Sequence, residues 1–169
     1  MKTEAALRRD AMRIFRASLA AADPAKAVAR AVTLSGNPLK VGPKSYRLDQ
    51  YGRVIVLGAG KASATMAKAL ERILGSRISA GFVNTKYGHL EKLKQIALNE
   101  CGHPVPDQPG IDGAQRIAAL ADACGPHDLV FCLISGGASA LTPYPATGIT
   151  LDQKQAATKL LLACGATIH

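Results

Sequence analysis

Residues 54–61 read Val54-Ile55-Val56-Leu57-Gly58-Ala59-Gly60-Lys61. An unbroken apolar run rich in β-branched residues is what a strand covered on both faces requires. Two glycines follow at once. From Lys61 to Leu74 the apolar residues Met66, Ala69, Leu70 and Ile73 then recur at helical spacing. A buried strand handed through a glycine turn to a helix is the repeating unit of an α/β sheet.

Downstream the pattern continues. Ala80 to Asn84 reads as a second strand and Lys94 to Leu98 as a third, ending at Gly102-His103-Pro104-Val105-Pro106-Asp107. Gly110 to Ala123 reads as a helix with Ile111, Ala114, Ile117, Ala118 and Ala121 inward. Asp128 to Ile134 is the clearest strand, because Leu129-Val130-Phe131-Cys132-Leu133-Ile134 is apolar throughout. Ser135-Gly136-Gly137 ends it. A Pro/Gly loop then leads to Thr150, a suitable N-cap for a helix from Leu151 to Cys164. The alternation predicts a three-layer, Rossmann-like α/β core over 53–164 with a mostly parallel sheet.

A helical segment at 4–34 precedes that core. Its first helix, to about residue 22, sets Ala6, Met12, Ile14, Phe15 and Leu19 among Arg8, Arg9, Arg13 and Arg16. Asp23-Pro24 supplies an N-cap and a first-turn proline for a second helix through Ala31. Ser35-Gly36-Asn37-Pro38 breaks it, and the stretch to Gly52 reads as irregular.

The length of 169 residues suits one domain, taken as 1–169. Hydrophobic residues at 48% against 20% charged exclude a disordered chain. No Trp and 4% aromatics leave little surface for stacking bases. No apolar run approaches the roughly 18–20 residues of a membrane span. Glu4 and Asp10 interrupt any signal-peptide core. Cys101, Cys124, Cys132 and Cys164 form no C-x-x-C pair and stand in apolar contexts, as small buried thiols of a reduced, cytoplasmic protein do. The net charge of +9 is uneven, with 11 basic and 4 acidic residues in 1–53 against 10 and 8 in 54–169. Such an N-terminal excess suits a solvated helix face, a field for anionic small molecules or, third, a nucleic-acid surface.

In parallel sheets ligands bind beyond the carboxyl ends of the strands, where three polar segments fall here. Gly58-Ala59-Gly60-Lys61 places a cation at a helix N-terminus, where backbone N–H groups also attract anions. Close helix–sheet packing with a solvated Lys61 is the alternative reading of the same residues. The third glycine of a dinucleotide fingerprint is replaced by Ser63, and Asn84-Thr85-Lys86 stands where a ribose-reading acid belongs, so NAD(P) is disfavoured. Ser135-Gly136-Gly137-Ala138-Ser139 is a second candidate phosphate nest, or a plain turn. Leu141 occupies the last glycine position of a nucleophile elbow, which excludes that reading. His103 and Asp107, stiffened by Pro104 and Pro106, read either as a structural loop or as substrate contacts. No second His or Cys stands at metal-ligand spacing to them.

The ordered blocks VIVLGAGKAS (54–63), NTKYGH (84–89), GHPVPD (102–107), SGGASAL (135–141) and GITLDQKQAATKLLLACGATIH (148–169) resemble the N-terminal part of the glycerate 2-kinase family. The resemblance runs from about residue 5 to the last residue. It implies ATP-dependent phosphorylation of D-glycerate to 2-phosphoglycerate, with Mg²⁺, in a cleft between two domains. Some members are labelled hydroxypyruvate reductase. On this resemblance Gly58, Gly60 and Lys61 form a candidate catalytic, phosphate-binding turn. Ser135, Gly136, Gly137, Ser139, His103 and Asp107 form further substrate contacts.

Family members are more than twice as long and carry a MOFRL-type C-terminal domain that this chain lacks, with further catalytic Arg and Asp positions. The resemblance therefore implies a truncated chain, inactive alone and prone to self-association through the apolar surface a second domain covers. A non-catalytic phosphosugar-binding module of sugar-isomerase type is the alternative.

Overall fold

The computed structural model describes residues 2–167, so Ile168 and His169, the end of the last resembling block, lie outside the described residues. Helix α1 spans Glu4–Ala21 and α2 spans Pro24–Ala31. The expected cap of α2 forms, with Asp23 Oδ1 accepting from the N–H groups of Ala25 at 2.9 Å and Lys26 at 3.1 Å. Helix α1 buries none of its residues and α2 only Val28. Leu7, Ile14, Phe15 and Leu19 are all more than half exposed.

The stretch expected to be irregular is an antiparallel meander. Strands β1 (Val32–Leu34), β2 (Pro38–Val41) and β3 (Lys44–Arg47) pair in sequence order. Each is only three or four residues long and half exposed, too short to show an alternating pattern. The helical segment accordingly ends at Ala31 and not at residue 34.

The α/β core follows as β4 (Arg53–Ala59), α3 (Ser63–Leu74), β5 (Ala80–Lys86), β6 (Ala97–Cys101), α4 (Gln108–Asp122), β7 (Asp128–Ile134), α5 (Ala138–Leu141) and α6 (Leu151–Ala163). The four strands form one parallel sheet in the order β6-β5-β4-β7. Of the three parallel connections, β4 to β5 and β6 to β7 carry helices and run in opposite directions across the sheet, while β5 to β6 carries none. Right-handed connection therefore places α3 and α4 on opposite faces. Alternation along β5 shows the two layers, because Val83 joins the cluster beneath α3 while its neighbour Asn84 bonds to α4 and α5.

The cluster under α3 includes Val54, Val56, Ala67, Leu70, Leu74, Ile78, Val83 and Leu133. Each large aliphatic side chain fully buried there contributes roughly 1.5–3 kcal/mol. Ala64, Ala67 and Leu70 face the sheet, and Met66 and Ile73, expected inward, flank it half covered. The alanines let the helix approach closely and leave the longer side chains to its sides.

Strand β6 begins three residues later than expected. The N–H groups of Lys94, Gln95 and Ile96 are taken by the Glu71 carboxylate on α3, at 2.7, 2.9 and 3.3 Å, so they do not start the ladder. Strand β7 occupies the expected residues but lies at the sheet edge among the described residues. Val130, Cys132 and Ile134 on one of its faces are exposed. Thus only Cys101 is a buried thiol, Cys124 is half-buried, and Cys132 and Cys164 are exposed, which corrects the expectation for the cysteines. Among the described residues no helix is long and apolar enough to cross a membrane.

Candidate functional site

The carboxyl ends of the four strands bring the candidate residues to one rim. Ala59 of β4 pairs with Asn84 of β5 and Ile134 of β7, and Lys86 of β5 pairs with Cys101 of β6. Gly60-Lys61, Lys86-Tyr87, Gly102-His103 and Ser135-Gly136-Gly137 therefore leave the sheet side by side.

The glycines at the end of β4 are needed for close approach. A Cβ on Gly58 would lie 2.7 Å from the Leu133 carbonyl oxygen. Gly60, at φ +136°, would press a Cβ into the Ser135 hydroxyl and to within 2.7 Å of its carbonyl oxygen. The N–H groups of this turn are spent inside the protein. Gly60 donates to the Asn84 carbonyl, Lys61 to that of Gly136, Ala62 to Ser135 Oγ and Ser63 to the Gly60 carbonyl. Buried Ser63, where a dinucleotide fingerprint has glycine, turns its hydroxyl to the carbonyls of Gly60 and Asn84. What this turn presents to solvent is the exposed Lys61 side chain.

The turn after β7 differs. Ser135 is engaged by Ala62, and Ala138 N–H closes back onto the Ser135 carbonyl at 3.3 Å. The N–H groups of Gly136, Gly137 and Ser139 take no partner among the described residues. Gly137 adopts φ +92°, and the site of its missing Cβ is 2.7 Å from His103 Nε2 and 3.4 Å from Lys61 Cγ. His103 and Lys61 thus converge on the backbone that carries the free donors. Burial holds the His103 imidazole below its ordinary pKa, and the positive charges of Lys61 and Lys86 depress it further. The ring is therefore a neutral donor–acceptor at pH 7.

Asp107 serves the loop itself. Its Oδ1 accepts from Gly110 N–H at 3.0 Å as the N-cap of α4, and its Oδ2 accepts from the Tyr87 hydroxyl at 2.8 Å. That bond favours the protonated phenol and raises the Tyr87 pKa. The His103–Pro104 peptide is cis. Behind the rim, buried Asn84 donates to the carbonyls of Leu141 at 2.7 Å and Gly110 at 3.4 Å and accepts from Asn99 at 3.0 Å. Asn84, Lys86 and Tyr87 were not singled out as site residues from sequence. Their signal was the NTKYGH block, and the partners of Asn84 and Tyr87 lie 15 to 57 residues away.

The rim is cationic and rich in donors, which suits oxygen anions. No three His, Cys, Asp or Glu side chains converge among the described residues.

Comparison with known proteins agrees with this architecture. The family described as a domain of unknown function (DUF4147) matches residues 10–169. A glycerate 2-kinase of Pyrococcus horikoshii is 40% identical over 163 residues, which cover 96% of this chain and 36% of that protein. A putative hydroxypyruvate reductase of Agrobacterium vitis is 49% identical over 117 residues, 69% of this chain and 30% of that protein. The crystal structure of the PH0495 protein of Pyrococcus horikoshii superposes with a TM-score of 0.82 at 38% identity, covering 100% of this chain and 37% of that one. The chain thus spans about a third of the length of the curated relatives it matches.

Proposed function

Given that the chain belongs to the DUF4147 family and is similar to a protein named glycerate 2-kinase, we propose that it supplies the phosphoryl-binding wall of a kinase that transfers phosphate from ATP to D-glycerate. The observation that carries this reading is the convergence of Lys61 and His103 on Gly137, beside the free N–H groups of Gly136, Gly137 and Ser139. Phosphoryl transfer asks little covalent chemistry of a protein and much positioned positive charge. ATP, when bound, supplies the transferring group.

The chain's own residues then act by position. The free N–H groups donate hydrogen bonds to phosphoryl oxygens, and Lys61 neutralises charge that builds on those oxygens. Rigidity comes from the shared bonds between the turns after β4 and β7, so the donors need not reorganise when charge develops.

Replacement of Lys61 by Ala tests the reading. Inorganic phosphate and ATP should bind more weakly by about 1–3 kcal/mol, with the fold unchanged by circular dichroism. Unchanged affinity would make Lys61 a solvated side chain and overturn the reading. The 169-residue chain alone should show no ADP release with D-glycerate, ATP and Mg²⁺, because a wall of the cleft positions only part of the reactants. Turnover that disappears with Lys61→Ala would show the site to be complete within these residues.

A second reading rests on the relative named putative hydroxypyruvate reductase, which suggests hydride transfer. It predicts tight NADH or NADPH binding. The Ser63 bonds and the cation at Lys86, in place of a glycine and an acid, argue against it. Dinucleotide fluorescence that is unquenched at low-micromolar protein (about −8 kcal/mol of binding) is the expected result.

A further inference from the structure

The kinase reading requires two anions to meet, the phosphoryl donor and a hydroxy-acid acceptor, and the rim offers two cations on different strands. Lys61 adjoins the free donors of the turn after β7. Lys86 stands one strand further along the sheet, opposite Cys101 and two residues from the level of His103. Thr85, immediately before it, donates its hydroxyl to the Gly60 carbonyl at 3.4 Å, which keeps Lys86 beside the turn that carries Lys61.

Lys86 is half-buried and has no ion-pair partner among the described residues. Two acids on the neighbouring segments are engaged elsewhere. Glu100 accepts from Gly88 N–H at 2.6 Å, and Asp107 accepts from Tyr87 and Gly110. A half-buried lysine with no ion pair of its own, on a rim that carries unspent N–H donors, is open to an external anion.

The donors at the two cations differ in number, and that difference assigns the anions. A phosphoryl group presents several oxygens and needs the many donors beside Lys61. A carboxylate presents two, which one ammonium and one imidazole N–H can satisfy. We infer that Lys86, with His103 beside it, is the acceptor-recognition residue, pairing its ammonium with the carboxylate of a small hydroxy acid while Lys61 serves the phosphoryl end. The inference rests on the kinase reading and adds to it a basis for preferring hydroxy acids to uncharged polyols.

The test is binding to the chain as it stands, followed by the His103 imidazole resonances in NMR titrations with D-glycerate, glycerol and ATP. D-glycerate should perturb His103 and glycerol should not. Lys86→Met should weaken D-glycerate binding by at least about tenfold while ATP affinity stays within about twofold, and Lys86→Arg should restore glycerate binding. In the free protein, Lys86→Met should also raise the His103 pKa, since a repelling charge is removed. Lys86→Gln carries the same measurements if the Met variant does not fold.

Wild-type glycerate affinity in Lys86→Met, equal loss of glycerate and ATP, or an unmoved His103 pKa would overturn the assignment. A wild-type chain that binds ATP but not D-glycerate would overturn it and leave the phosphoryl-binding reading standing. A chain that binds neither would sink both.

Discussion

Nε2 of His103 lies 2.7 Å from the point where a Cβ on Gly137 would sit. The imidazole rests on bare backbone, and glycine at 137 is what lets a loop after β6 reach a turn after β7 across the width of the sheet. Gly137→Ala should therefore do two things. The φ of +92° strains any L side chain, so stability should fall by at least about 1 kcal/mol. The His103 ring must also move, so its NMR resonances should shift and phosphate affinity should drop.

Gly60→Ala should be more damaging, because its Cβ meets the Ser135 carbonyl at 2.7 Å, and a main-chain oxygen cannot rotate away. Separating the turns after β4 and β7 should cost at least about 2 kcal/mol in thermal unfolding. Gly136→Ala is the control. Its Cβ would have open space and its φ is not positive, so a change within about 0.5 kcal/mol is expected.

Asn84 joins β5 to both helical elements on one face of the sheet. Removing its amide with Asn84→Ala would leave the Leu141 carbonyl with only the weak Cys101 thiol donor at 3.4 Å and the Asn99 amide with only the Pro109 carbonyl at 2.9 Å. Urea denaturation should show a loss of roughly 1–3 kcal/mol for each group left unsatisfied. A loss below the lower figure would mean that water replaces the side chain.

The thiols should separate by reactivity. Burial, with the charge of Asp107 adding to it, pushes the Cys101 thiol up to about 12. Cys132 and Cys164 are exposed. At mild alkaline pH a chromogenic disulfide reagent should titrate Cys132 and Cys164 quickly, and Cys101 only on unfolding. Rapid loss of the Cys101 thiol in the folded protein would show that the loops over it open.

Acid should weaken the fold partly through Asp128. Its carboxylate accepts from Arg53 Nε at 3.0 Å and Nη2 at 2.6 Å, and its pKa is lowered to about 2. The unfolded value is near 4, so the unfolded state binds the extra proton between these limits. The stabilisation is complete above about pH 4 and is lost as pH falls toward 2. Asp128→Asn should lower stability at pH 7 and flatten the acid limb of a stability–pH profile measured by chemical denaturation.

Features that depend on near neighbours were legible from sequence. Asp23 and Thr150 cap their helices as their spacing predicts, the latter as a full capping box with Gln153. Strand β7 has the expected bounds because six successive apolar residues suit an extended chain. The parallel α/β plan followed from strands alternating with helices, and the rim from where glycines and polar residues fall after strand ends.

Tertiary structure decided whatever depended on a distant partner. Glu71 delays β6 by capturing three N–H groups about two dozen residues on. Short pairings made a meander of a stretch with no strand signal. The edge position of β7 exposed residues whose apolar character alone suggested burial. Within the site, sequence named Lys61, His103 and the two glycine turns. Only packing showed that one turn has spent its N–H groups while the other has not, that Asp107 holds Tyr87 and the N-terminus of α4, and that Lys86 stands unpaired. Hydrogen-bond partners and burial are properties of surfaces brought together from separate parts of the chain, and no local pattern of residues encodes them.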